Sequence, residues 1–548
     1  MAGRVRRPFV LFAALIISLC LGAAAHAGEI EDAVAALAAG SFKAKAEAVV
    51  RLAATGDPRA APVLEAMLDR RLYTRKEDGK VVIAEKRGKV LVLKDPLTLA
   101  EIGEVGTREA KRVRVNNKLR REIRAALGGL NLLSPDLDAR ITAADAVFKA
   151  RQAESEPLLE RALEREVDAG VRERLEVALA AVRLTHADDT KARLDALEVL
   201  SRSSDQEVRS LVAEILVTDG EGNPVEADAE VRAAAAEALT AIDERLELWR
   251  FAVNVFQGLS LGSVLLLVAV GLAITFGVMG VINMAHGEMV MLGAYTTFVI
   301  QEIFRTHAPE LFDWSVVVAI PAAFAVAGLF GIAIERGVIR YLYGRPLETL
   351  LATWGISLVL QQTVRSIFGP TNREVGSPSW MSGAIEVAGG LSFTYNRIWI
   401  IVFSLVVFAL LILVIRRSAF GLHMRAVTQN RPMAAAMGIC TGRVDALTFA
   451  LGSGIAGLAG VAVSQIDNVS PNLGQGYIID SFMVVVFGGV GNLWGTLVGG
   501  FSLGLVNKFL EPYAGAVLAK ILVLVAIILF IQKRPRGLFA LKGRAVEA

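Results

Sequence analysis

The hydrophobic pattern of the chain changes character near Trp249. Before that point apolar residues recur at three- and four-residue spacing among charged ones, as on amphipathic helices; Val208, Leu211, Val212, Ile215 and Leu216 form one such stripe. After it, continuous apolar runs begin with Val255–Gly280 and close with Ile521–Ile531. Runs of about 20 apolar residues match a hydrocarbon core about 30 Å thick. The pattern predicts an exported soluble helical domain over 28–248 and a polytopic helical membrane domain over 249–540, an all-α chain apart from one small β insertion. Membrane segments are expected at 253–278, 284–303, 314–335, 348–368, 397–415, 444–465, 479–490, 495–510 and 515–532. The seventh and eighth are short and glycine-rich, as broken or re-entrant segments are.

Within the soluble part, Asp168-Ala-Gly-Val171-Arg172, Asp205-Gln-Glu-Val208-Arg209 and Asp228-Ala-Glu-Val231-Arg232 share one pattern, a capping aspartate ahead of an amphipathic helix. Gly56-Asp57-Pro58-Arg59 before Val63, Leu64, Met67 and Leu68 is a related start. Such pairs of helices with Asp at the turn resemble HEAT-like repeats. Between Leu72 and Leu99 the pattern switches to the β-branched runs Val81-Val82-Ile83 and Val90-Leu91-Val92-Leu93, with turn dipeptides Asp78-Gly79 and Arg87-Gly88. These predict a β-hairpin interrupting the helices. No nucleophile–base pair or metal-ligand cluster stands out in this part, which favours binding or docking over catalysis.

The first residues read as a signal peptide, 1–27. Arg4, Arg6 and Arg7 precede an apolar run from Phe9 to Leu21, and Ala25-His26-Ala27 is a small-x-small cleavage site. Cys20 and Cys440 are the two cysteines of the chain. A lone Cys440 after cleavage excludes an intramolecular disulfide and a thiolate metal cluster. A net charge of +3 does not suggest a nucleic-acid partner.

Loop charge orients the membrane part. Arg336, Arg340 and Arg345 lie in one loop, Arg416, Arg417, Arg425, Arg431 and Arg443 in another, and Lys533, Arg534 and Arg536 follow the last segment. By the positive-inside rule these stretches are cytoplasmic, and the stretch with Asp467 and Asp480 reads as an acidic outer loop. Counting back places the start of the first span, and with it the soluble domain, outside. Small residues at packing spacing, Gly452, Ala456 and Gly460, and again Gly491, Gly495 and Gly499, suit close helix approach.

Three stretches carry the candidate chemistry. Residues 421–443 combine a basic loop, a short Ala-rich helix and a glycine stop. Val281–Gly293 places Asn283, His286 and Glu288 in an apolar setting, where ionisable groups face a cavity or a partner. Gly488, Gly489 and Gly491 break a helix in the stretch Phe487–Gly500. Thr353, Gln361 and Gln362 in the fourth segment, and Gln465 and Asn468 after the sixth, add neutral donors and acceptors. These suit a neutral amide, although hydrogen bonds between helices explain the same residues.

Together these motifs, over about 252–540, resemble the permease family of branched-chain amino acid and urea ABC importers. The long exported extension is most similar to the urea-type permease subunit. The resemblance implies an inner-membrane, multi-pass subunit that pairs with a second permease subunit, two cytoplasmic ATPase subunits and an exported substrate-binding protein. It also implies that Arg425, Arg431, Ala434, Ala435 and Gly438 form the ATPase-coupling element. The chain has no Gly-x-x-x-x-Gly-Lys-Ser/Thr loop, so it is expected to be a transporter subunit rather than an enzyme. No cofactor is expected on this chain, and ATP is expected to be used by partner subunits. Urea or a short amide is the expected cargo. The alternatives are a branched-chain amino acid, carried by the same kind of machine, or a passive channel or secondary transporter.

Overall fold

The computed structural model describes residues 30–539 except 39–40, 56, 58, 88–89, 107–108 and 389–390. The expected signal segment, with its cleavage site and Cys20, lies outside the described residues. The chain divides into two compact units, Met1–Leu246 and Glu247–Ala548.

In the first unit, α1 (30–36), α2 (Phe42–Ala54), α3 (Ala60–Leu68) and α4 (Asn117–Asn131) enclose a core that includes Leu37, Leu52, Leu64, Met67, Leu119 and Ile123. Between α3 and α4 the expected hairpin is instead a five-stranded antiparallel sheet. Its strands are β1 (Leu72–Arg75), β2 (Val81–Arg87), β3 (Val90–Lys94), β4 (Glu101–Gly106) and β5 (Ala110–Arg112), in the order β4-β3-β2-β1-β5. The sequence undercounts the strands because β4 is largely exposed and carries Glu101 and Glu104 where a buried strand would carry apolar residues. The two-residue alternation holds in β2: Val81 and Ile83 join the helical core, while Val82 and Ala84 pack with Leu91 and Leu93 on the opposite face. Gly79 takes φ +71° in the β1–β2 turn, where few other residues fit. Arg75 Nε donates to Asp78 Oδ1 at 2.9 Å across that turn. The guanidinium holds the Asp78 carboxyl down at about 2.

The rest of this unit is helical: α5 (Leu137–Ala150), α6 (Glu156–Arg165), α7 (Ala169–His186), α8 (Thr190–Ser201), α9 (Gln206–Ile215) and the start of α10 (Ala229–Met279). All three aspartates of the repeated pattern cap helices. Asp168 accepts from Gly170 N and Val171 N, Asp205 from Glu207 N, and Asp228 from Glu230 N. Two of these turns share a fuller constellation. Arg140 pairs with Glu166 while Arg172 donates to the Glu166 carbonyl at 2.7 Å. Arg193 pairs with Glu226 while Arg232 donates to the Glu226 carbonyl at 2.6 Å. A Glu two residues before the capping Asp completes each turn.

The second unit continues from α10 through α11 (His286–His307), α12 (Ser315–Gly337), α13 (Pro346–Phe368), α14 (Tyr395–Arg417), α15 (Ala419–Gln429), α16 (Arg431–Ala436), α17 (Thr441–Ser464), α18 (Leu473–Gly488) and α19 (Leu493–Lys533). A short hairpin, β6 (Ala384–Ala388) and β7 (Leu391–Thr394), lies between α13 and α14 and is a second departure from an all-α chain. Among the described residues, five helices are long and apolar enough to cross a membrane: Ala229–Met279, Pro309–Tyr341, Tyr395–Arg417, Thr441–Ser464 and Leu493–Lys533. α11 and α13 are long but carry buried polar groups, and α18 has 16 residues. The expected eighth and ninth segments are the two halves of α19, broken at Gly515 (φ +74°) just after Pro512.

The helix α17 is buried along most of its length and packs against α10, α11 and α12 through backbone contacts. A Cβ at Gly293 would run into the Gly457 carbonyl, one at Gly460 into the Val290 carbonyl, and one at Gly271 into the Gly452 carbonyl. Lipid supplies no hydrophobic drive between helices, so such close approach is what brings them together. Gly495 and Gly499 meet Gly488 and Val484 of α18, and Gly491 meets Gly277 of α10.

Candidate functional site

The chain leaves α10 at Gly280 and enters α11 at His286 through an irregular stretch that Asn283 organises. Asn283 Oδ1 accepts from Ala285 N at 3.0 Å, and the Asn283 carbonyl accepts from His286 N at 3.3 Å. Met284 N donates to Thr353 Oγ1 of α13 at 3.1 Å. The ring of His286 is fully buried and its Nε2 lies 3.0 Å from the Val268 carbonyl of α10. That carbonyl accepts, so Nε2 is the protonated nitrogen. These three residues therefore tie the break between α10 and α11 to its neighbours.

In the first turn of α11, the Glu288 carboxylate is 1% exposed. Its Oε1 accepts from Ser357 Oγ at 2.6 Å and from Gln361 Nε2 at 2.8 Å, both on α13. Gln361 Oε1 in turn accepts from Gln475 Nε2 of α18 at 3.4 Å. A polar track thus runs from a buried carboxylate through Gln361 to Gln475, which is exposed. Among the described residues, Glu288 Oε2, His286 Nδ1 and Asn283 Nδ2 are buried without a hydrogen-bond partner. Such groups are costly in an apolar interior and mark places where a ligand or water can be accommodated.

The structure brings Asn283, His286, Glu288, Thr353 and Gln361 together. Gln362 and Asn468 are exposed and stand apart from them. Gln465 is buried elsewhere, with its carbonyl accepting from Asn396 Nδ2 at 3.1 Å. Ser357 and Gln475 escaped the sequence reading. Ser357 lies one turn after Thr353 and one turn before Gln361, so helical spacing alone could have found it. Asp480, read from sequence as part of an outer loop, is instead buried within α18, where it pairs with Lys520 of α19 at 2.8 Å. Apolar neighbours on both sides, Ile478-Ile479 and Phe482-Met483, carry it into the helix.

The coupling stretch folds as α15 and α16 between α14 and α17. Asn430 caps α16 by accepting from Met433 N at 3.0 Å, and Gly438 ends it with φ +86°. Arg425, Ala435 and Gly438 are exposed, as are Met433 and Met437, while Ala434 is buried. Arg431 turns inward. Its guanidinium pairs with the fully buried Asp445 of α17, one contact being 3.3 Å from Nη1 to Oδ1. It also lies over the ring of Tyr343, 4.8 Å from the centroid. Tyr343 donates to Glu335 Oε1 of α12 at 3.0 Å. The exposed face of α16 is thus fastened to α12 and α17 from below.

The glycine break after α18 is closed by the chain's own later residues. Leu538 N donates to the Phe487 carbonyl at 2.9 Å and Phe539 N to the Gly488 carbonyl at 3.2 Å. Asn492 caps α19 by accepting from Trp494 N and Gly495 N, and its Nδ2 donates to the Phe539 carbonyl. Gly489 and Gly491 hold φ of +103° and +79° in this turn. Among the described residues, no group of three or more His, Cys, Asp or Glu side chains is placed to hold a metal ion.

A family described as branched-chain amino acid transport system / permease component matches residues 254–531. The high-affinity branched-chain amino acid transport system permease protein LivH of Escherichia coli (strain K12) is 32% identical over 297 residues, 53% of this chain and 95% of that protein. The corresponding permease protein BraD of Pseudomonas aeruginosa is 29% identical over 298 residues, 53% and 96% of the two chains. The ribose import permease protein RbsC of Bacillus subtilis is 28% identical over 134 residues, 22% and 42%. No solved structure matches. The relatives named are transport permease subunits, and the family match spans the helical unit that holds the buried polar track and the α15–α16 stretch. The chain belongs to the branched-chain amino acid transport permease family and is a multi-pass membrane protein.

Proposed function

We propose that this chain is the transmembrane permease subunit of an ATP-driven importer for branched-chain amino acids. The family match across residues 254–531 carries this reading. The names of the relatives support an amino acid cargo over urea or a short amide, for which they give no support. The neutral amides that suggested urea, above all Gln361, are engaged with Glu288 and Gln475 as links between helices.

The partners are a second permease subunit, two cytoplasmic ATPase subunits and an exported binding protein. The exposed methionines and Arg425 around α16 form the surface that meets the ATPase, and Arg431 holds that surface in place. The arginine loops support a cytoplasmic position for α15–α16 and the C-terminal end, with residues 28–248 outside. There the helical pairs, read as HEAT-like, dock a partner. This chain binds no cofactor; its partners use the ATP.

The test is uptake into vesicles from cells expressing the full transporter, with and without ATP. ATP-dependent accumulation of leucine that excess urea does not inhibit is the expected result. Urea accumulation with no leucine uptake would overturn the cargo, and ATP-independent flux would replace the importer with a channel or secondary transporter.

A further inference from the structure

A second feature of the membrane unit lies beside the polar track. The helix α18 and the second half of α19 border a groove of about 500 Å³, within the range of about 300–1,000 Å³ typical of small-molecule sites. Its wall is apolar, with Met483, Ile521 and Leu524 among the lining residues. Two full charges stand in that wall: Asp480, almost wholly buried, and Lys520, whose side chain is half exposed. At its edge is Gln475, the outer end of the track that begins at Glu288.

Charges in an apolar membrane segment are costly and mark functional positions more often than structural ones. Helical spacing puts Met483 on the same side of α18 as Asp480, and Leu524 on the same side of α19 as Lys520. The groove therefore offers one anion, one cation and an aliphatic surface within reach of both. A ligand with one ammonium, one carboxylate and a branched aliphatic side chain is complementary to all three. Such a ligand is neutral overall, and so is the pair it would open. Each charge exchanges one partner for another, so no net charge is carried into the groove. A neutral amide carries no full charge to offer either member of the pair.

We propose that this groove is a subsite for the zwitterionic cargo, with Asp480 binding the α-ammonium, Lys520 the α-carboxylate and the Met483–Ile521–Leu524 wall the side chain. This rests on the amino-acid reading above. Gln475 then marks the step from the subsite toward Gln361 and Glu288.

The experiment is leucine uptake by the full transporter, in vesicles with and without phosphatidylethanolamine, comparing Lys520→Met, Asp480→Asn and the double variant. Loss of either charge should raise the KM for leucine by about tenfold or more, as expected for a lost charge-assisted contact. The Lys520→Met variant should also lose discrimination between leucine and leucinamide, and the double variant should be at least as impaired as either single one. A pair that merely joins two helices would behave otherwise: neutralising both members would restore uptake, and discrimination would not change. Either of those results, or a KM within about twofold of the parent, overturns the subsite. An effect confined to vesicles containing phosphatidylethanolamine would assign the pair to a lipid headgroup and overturn it too. An unsubstituted transporter that fails to accumulate leucine at all would instead refute the amino-acid function on which the subsite depends.

Discussion

Arg431 offers the sharpest test of how the coupling stretch is held. Its guanidinium pairs with Asp445, whose side chain is fully buried, while 40% of the Arg431 side chain is exposed. Arg431→Ala strands a buried carboxylate, which for a wholly enclosed pair costs about 3–5 kcal/mol. The exposed side of the pair lets water reach the gap, so about 2–3 kcal/mol is expected, below the range for a fully enclosed pair. For a unit of about 300 residues that corresponds to a fall of roughly 3–5 °C in apparent melting temperature, read on the purified protein in detergent. Adding Asp445→Asn removes the stranded charge and should recover most of the loss, leaving about 1 kcal/mol for the missing hydrogen bonds. The two single variants and the double variant form a cycle that isolates the pair. ATP-dependent uptake should fall in Arg431→Ala by more than the folded fraction falls, because α16 loses its attachment to α17 and to Tyr343. A single variant that melts with the parent, or a double variant no better than the single one, would refute the anchoring role.

Other features give further expectations. Gly293→Ala puts a methyl group into the Gly457 carbonyl, and a loss of about 1–3 kcal/mol from overpacking should appear as a lower melting temperature in detergent; an unchanged value would contradict the close approach of α11 and α17. Cys440 is exposed beside α16, so an impermeant maleimide should label it in inside-out vesicles and not in intact spheroplasts, and the reverse pattern would invert the proposed topology. In the first unit, the hydrogen bonds from Arg193 hold the Glu226 carboxyl below its ordinary value of 4.5. The stabilisation is complete above that ordinary value and is lost as pH falls through the lower folded value, so amide exchange at 226–232, corrected for intrinsic rates, should be faster at roughly pH 4 than at pH 7; equal protection would sink the claim.

Much of the fold was legible because its signals are local. Apolar run length marked the membrane helices, and the repeated aspartates capped helices where the pattern put them. The sheet was read short because β4 and β5 hold their places through pairing with β3 and β1, not through an apolar pattern of their own. The site was half legible for a related reason. Asn283, His286 and Glu288 stand out in sequence because polar groups are rare in apolar runs. Ser357, which meets Glu288, and Gln475, which meets Gln361, are ordinary residues until α13 and α18 come together. Asp480 was read as part of an outer loop because a lone acid suggests solvent. Its partner lies 40 residues further on, in a separate segment, and no local rule says which segments come together. Arg431 was read as part of a basic surface for the opposite reason: its acid, Asp445, sits inside a span where a carboxylate is not expected.

The glycine contacts along α17 also have a mechanical side. Helices that meet through side chains can slide a little, because rotamers adjust. Helices that meet through bare backbone cannot. Moving α11 by one residue along α17 would bring Leu292 or Ala294 to a spot with no room for a Cβ. Gly460 against Val290 and Gly271 against Gly452 block the same slip at other levels. α10, α11, α12 and α17 are in effect a single strut. Among the described residues, α13 has no such seam, α14 meets a glycine's backbone where Gly421 of α15 abuts its last turn at Ile415, and α19 has a ready hinge at Gly515. When this subunit changes shape, the strut must travel whole, and the bending is left to α13, α14 and the far half of α19.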